Sequence, residues 1–194
     1  MITGTIFFAD AAVSVFKCRR WALVRGAALV LGMAFLTAIA AGVKFQIGIV
    51  PVTLQTFIVL LSGVLLGSKR GAAAQLAYVS AGLAGVPWFS NGGGLPYLFS
   101  PTFGYLLGFV PAAFAVGFFA ERGWSKKIIT LVAALLVGNA CIYFFGLLWL
   151  SKFVPQEHLL NIGLYPFIFG DALKISAISI LLFVNLALMG RGNK

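Results

Sequence analysis

The sequence predicts an all-α integral membrane protein, a single bundle of six transmembrane helices. Three observations predict it. Hydrophobic residues make up 61% of the 194 and charged residues only 9%, with a mean hydropathy of +1.06, a balance that no soluble domain of this size carries. The apolar runs are continuous and rich in Leu, Ala and Gly, whereas a membrane β-barrel would alternate over short segments. The length fits six spans of about 20 residues each.

Residues 1–20 read as a short amphipathic lead-in ending in the basic cluster Lys17, Arg19 and Arg20, with Arg25 just beyond. The first span covers 22–43. Ala38-Ile39-Ala40 resembles a signal-peptidase site, but the apolar run is too long for an ordinary signal peptide, so retention is expected. Ala34, Ala38 and Gly42 recur every four residues and leave a smooth stripe. Such a stripe lets another helix approach closely, either inside this chain or on a partner subunit.

The second span, 51–67, opens on Pro51, placed where a first turn tolerates proline, and carries Thr53 and Gln55 near its start. Lys69 and Arg70 precede the third span, 71–86. The stretch 87–101 is the longest irregular one, with no charge, three consecutive glycines, three prolines and four aromatic residues. An ordinary surface connection would be richer in Ser, Lys or Glu, so this one reads as a flap over a cavity mouth. The fourth span covers 101–119 and holds Pro111, which predicts a kink. The fifth covers 128–150, and the sixth 166–189. No repeat or linker divides the chain, so 1–194 reads as one membrane domain.

Charge placement sets the orientation. With the N-terminus inside, the inner segments hold eleven of the fourteen Lys and Arg, the outer segments only Lys44 and Lys152, and Lys174 is left in the membrane. The positive-inside rule then gives both termini inside and an even number of spans. It also explains the net charge of +10 without nucleic acid as a partner.

Asp171 and Lys174 are the anomaly. Each such charge costs about 2.5–3.5 kcal/mol at the centre of an inserting helix, so neither should face lipid alone. Three residues apart on a helix they share a face. They form either an internal structural pair or the polar end of a cavity, and they fall on the same side as the uncharged flap. Two cysteines and one histidine make no disulfide framework and no metal site. No catalytic set, cofactor motif or Gly-x-x-x-x-Gly-Lys-[Ser/Thr] phosphate loop is present.

Val50-Pro-Val-Thr-Leu-Gln-Thr-Phe57, the Leu-Ala-Gly-Val-Pro that leads into the glycine-rich stretch, Ser100-Pro-Thr-Phe-Gly-Tyr-Leu-Leu-Gly-Phe109 and Gly170-Asp-Ala-Leu-Lys174 resemble the biotin-specific S component, the BioY family, of energy-coupling factor transporters. The resemblance spans about residues 30–185; the lead-in lies outside the pattern. It implies a multi-pass protein of a bacterial or archaeal plasma membrane that captures biotin from outside. Delivery would involve a transmembrane coupling subunit and two cytosolic ATPase subunits, with Ala34-xxx-Ala38 as the docking stripe.

On that resemblance Asp171 accepts from the ureido N–H groups, while Lys174 and Asn91 donate to ligand oxygen. Trp88, Phe89 and Tyr97 cover the bicyclic ring. Gln55 either completes the polar lining or supports helix packing, and Lys174 alternatively meets the ligand carboxylate. An S component for another vitamin and a stand-alone proton-coupled carrier using Asp171 share these features.

Overall fold

A computed structural model describes residues 19–46 and 48–191; the expected lead-in lies, as far as residue 18, outside them. Helix dominates. Among the described residues, five helical segments, Leu23–Gly42, Gln55–Leu83, Phe103–Glu121, Ile128–Leu150 and Gln156–Val184, are long and apolar enough to cross a membrane. The chain is thus a multi-pass membrane protein by length and composition.

Helix α1 (Arg19–Gly42) buries Met33, Ala34, Thr37, Ala40 and Ala41 and exposes Leu31, Phe35, Leu36 and Ile39. Both faces are apolar because one meets protein and the other lipid, so the small residues mark the protein side. Strands β1 (Lys44–Phe45) and β2 (Val52–Thr53) pair antiparallel, with Lys44 opposite Thr53. The sequence places a helix start at Pro51; the helix begins instead at Gln55. The β-branched Val52 and Thr53 extend into the hairpin, and the Thr53 Oγ1 accepts the Gln55 backbone N–H at 3.3 Å.

Helix α2 (Gln55–Leu83) is broken at Gly67, whose φ of 81° suits glycine. Contacts nest around the break: Gln55 Nε2 donates to the Tyr78 hydroxyl at 2.7 Å, Gln75 Nε2 to Ser62 Oγ at 3.1 Å, and Gly63 lies against Gly71. A straight helix would hold these pairs one or more turns apart, so the two arms run back along each other. Ser68, first in the returning arm, donates its N–H and hydroxyl to Glu121 Oε1 at 2.8 and 2.9 Å. An acid at that end satisfies an orphan donor and meets the positive end of the helix dipole.

The flap spans 84–102, includes the 3₁₀ turn Leu95–Phe99, and is tied down by Gly94 N–H to Gly82 C=O at 2.7 Å. Helix α3 (Phe103–Glu121) contains Pro111 and is central, packing on both α2 and α4 (Ile128–Leu150). Gly117 lets α3 reach the turn: a Cβ there would lie 2.3 Å from the Ser68 nitrogen. A short α5 (Leu159–Gly163) leads into α6 (Tyr165–Arg191). The inward stripe of α6 is Phe167, Asp171, Ile175, Ile178, Ser179 and Leu182. Asp171 therefore sits in the α6 core stripe one turn after Phe167.

Candidate functional site

The buried stripe of α6 turns Asp171 toward α2 and α4. The Asp171 and Lys174 side chains are 7% and 11% exposed, with Lys174 Nζ 2.9 Å from Asp171 Oδ1. Thr56, in the first turn of α2, accepts from Lys174 Nζ at 2.8 Å. Tyr143, from the middle of α4, donates its hydroxyl to Asp171 Oδ2. Three elements thus converge on one carboxylate. This is how a buried charge is held: paired and hydrogen-bonded rather than left bare.

The pair is also exposed to a void. A cavity open at its mouth is lined by Asp171, Lys174, Thr56 and Tyr143, together with Thr53 and Gln55 from the start of α2. Val50, Leu106, Phe109, Ile142 and Phe167 supply apolar walls. Tyr105 and Tyr143 stand 6.1 and 6.3 Å from the Phe167 ring, an aromatic flank. Lys174 lines the cavity and uses two of its three N–H donors on Thr56 and Asp171, leaving a third for a ligand. An apolar chamber with a few converging polar groups is the usual form of a small-molecule site.

The flap closes the cavity with hydroxyls. Tyr97 OH meets Ser90 Oγ at 3.1 Å and accepts from Thr102 at 3.0 Å, and all three residues line the chamber. Of the residues singled out from sequence, Asp171, Lys174, Gln55 and Tyr97 come together there. Trp88, Phe89 and Asn91 do not line it. Trp88 stacks near Tyr78 with ring centroids 5.4 Å apart and donates Nε1–H to the Tyr78 carbonyl at 3.0 Å. Phe89 is buried between Tyr78 and Tyr97. These two rings anchor the flap from behind, because the glycine turns fold them onto the returning arm of α2. Asn91 points to the hairpin, where its Oδ1 accepts from Lys44. Trp88→Phe, which removes the N–H donor and part of the ring's packing against Tyr78, is expected to lower stability by at least about 0.5–1.5 kcal/mol, read as a lower unfolding temperature in detergent.

Gln55 both lines the chamber and ties helices together. It lines the cavity, and it also accepts from Thr53 at 2.9 Å and donates to Tyr78. Ala34 is 1% exposed and joins the chain's own core, and Ala38 packs against that core. Along the small-residue stripe Ala34 thus packs inside this chain, Ala38 is half-buried and Gly42 is exposed. Of the other lining residues, Thr56 lies in the Thr-Leu-Gln-Thr run and Thr102 and Tyr105 in the Ser-Pro-Thr-Phe-Gly-Tyr run that carry the family resemblance; no sequence signal marks Ser90 or Tyr143.

Comparison with known proteins agrees with the fold. A model of the BioY family matches residues 11–190. The probable biotin transporter BioY of Lysinibacillus sphaericus is 36% identical over 146 residues, covering 71% of this chain and 74% of that protein. The biotin transporter BioY of Thermotoga maritima is 36% identical over 142 residues, covering 72% and 83%. Among solved structures, the S-component for biotin from an ECF-type ABC transporter matches with a TM-score of 0.76 at 24% identity, over 86% of this chain and 93% of that one. At that identity the likeness carries the fold. The family match runs through all five apolar segments, and the chain belongs to the BioY family.

Proposed function

We propose that this chain is the substrate-binding membrane component of a biotin uptake transporter. One observation carries the reading: a buried Asp–Lys pair opens into an otherwise apolar, aromatic-flanked cavity, and the family's relatives are named biotin transporters. Biotin presents two ureido N–H donors beside a strongly polar carbonyl, an apolar thiophane ring fused to that ureido ring, and an acid tail. Asp171 accepts from the ureido N–H groups, and the free donor of Lys174 meets the ureido oxygen. Phe167, Tyr105 and Tyr97 cover the bicycle. Asn91 has no direct part in this arrangement.

The chain crosses the membrane six times with both termini inside. The reversal at Gly67 supports counting the arms of α2 as two crossings, and the eleven-to-two distribution of Lys and Arg supports the orientation. The cavity then faces outward, in the plasma membrane. Since the chain carries no phosphate-binding loop motif, energy comes from partners: a coupling subunit and two ATPase subunits.

The test is displacement of labelled biotin from the purified chain. Unlabelled biotin should displace it, and a ureido-free analogue that keeps the thiophane ring and tail should do so at least about 30-fold less well, because buried polar groups are left unpaired. Equal displacement by both compounds would sink this assignment, and displacement by another vitamin in preference to biotin would transfer the site to that ligand. Lys174→Ala, which removes one charge-assisted bond of about 1.5–3 kcal/mol, should raise the Kd about 10- to 150-fold in the same assay.

A further inference from the structure

The floor of the cavity is electrically balanced. Asp171 and Lys174 neutralise each other at 2.9 Å, and the other lining residues carry no formal charge. A monoanionic ligand adds a negative charge to this space, and an uncompensated buried charge is far more costly than a paired one. A cation near the cavity mouth would offset the charge of the ligand's acid end.

One stands at the rim. Lys44 lies opposite Thr53 in the β1–β2 register, and Thr53 lines the cavity. Across the mouth its Nζ donates to the backbone carbonyl of Ser90, another lining residue, and to Oδ1 of Asn91 at 3.0 Å. Both acceptors are neutral. The described ion pairs, Lys174–Asp171 and His158–Glu157, do not include it. Lys44 thus holds an uncompensated positive charge between the hairpin and the flap, with one of its three donors open. Lys152, at the same end of the bundle, sits 4.3 Å over the Trp149 ring and is not among the lining residues.

We propose that Lys44 is the receptor for the ligand's carboxylate. The neutral ureido head takes the Asp171–Lys174 floor, and the acid tail ends at the rim, where Lys44 links it to the flap. This rests on the biotin reading above and assigns the far end of the same ligand. It also decides the open alternative for Lys174: that ammonium serves the head, not the tail.

Equilibrium binding of biotin and of its uncharged primary amide to the unsubstituted chain, to Lys44→Gln and to Lys152→Gln tests the assignment. Lys44→Gln should weaken biotin about three- to tenfold and flatten the fall of its affinity with added salt, since a rim charge acts partly through long-range attraction. The amide should bind Lys44→Gln as it binds the unsubstituted chain, and Lys152→Gln should change neither compound. Equal weakening of biotin and amide would make Lys44 a flap fastener only, and no change in either would place the carboxylate elsewhere; both overturn the proposal. If the unsubstituted chain binds neither compound, the biotin reading falls and this assignment falls with it.

Discussion

Asp171→Asn is expected to raise the Kd for biotin by at least about 30-fold while leaving a folded protein. The substitution keeps the shape of the side chain but removes its charge. Asp171 is the acceptor on which Lys174, Tyr143 and Thr56 converge. With an amide there, the ammonium loses its counter-charge inside the bundle, and one amide oxygen replaces two carboxylate oxygens. Truncating one member of a buried, hydrogen-bonded charge pair costs about 2–5 kcal/mol in binding contexts, which is about 30-fold or more. Part of that penalty falls on the free protein, so a lower unfolding temperature should accompany the loss. The diagnostic result is loss of binding in a variant that still elutes as a monodisperse species and unfolds cooperatively. Retained affinity would make the pair mere helix glue.

Gly117→Val is expected to be the most damaging single change away from the cavity. A Cβ at this position would meet the Ser68 nitrogen at 2.3 Å, the Gly67 carbonyl carbon at 2.4 Å and the Ser68 Cα at 2.6 Å. All are backbone atoms of the reversal in α2, so no side chain can swing aside. Overpacking in a filled interior commonly costs about 1–3 kcal/mol and more when backbone must move. Separating α3 from the turn would also pull Glu121 away from the Ser68 N–H and hydroxyl. The measurable outcome is a fall in folded yield and in unfolding temperature, with any surviving folded fraction still binding through the intact cavity. A variant as stable as the parent would contradict the close packing of α3 on the reversal.

How much of this was readable from residues alone follows from what a bilayer does to sequence patterns. Ionisable residues are so costly in hydrocarbon that Asp171 and Lys174 announce themselves without any structure. Tyr143 does not. It sits in Ile-Tyr-Phe-Phe, within a helix apolar on every face, and in lipid the hydrophobic pattern no longer separates inside from outside. Only tertiary packing turns its hydroxyl to Asp171. The flap shows the converse. Its composition marks it as special, but three glycines free the backbone, so spacing could not say which rings face the cavity. Tyr97 does, while Trp88 and Phe89 fold onto Tyr78. The proline at 51 misled in a simpler way: a residue that suits a first helical turn also suits the entry to a short strand, and Val52-Thr53 took the second course.

The most direct measurement is saturation binding of labelled biotin to the purified chain, without partner subunits, beside the Asp171→Asn/Lys174→Ala double variant. The unsubstituted protein should saturate with biotin that unlabelled biotin displaces, and the double variant should show no saturable binding over the same concentrations. Identical saturation curves for the two proteins would contradict the placement of the ligand on this pair.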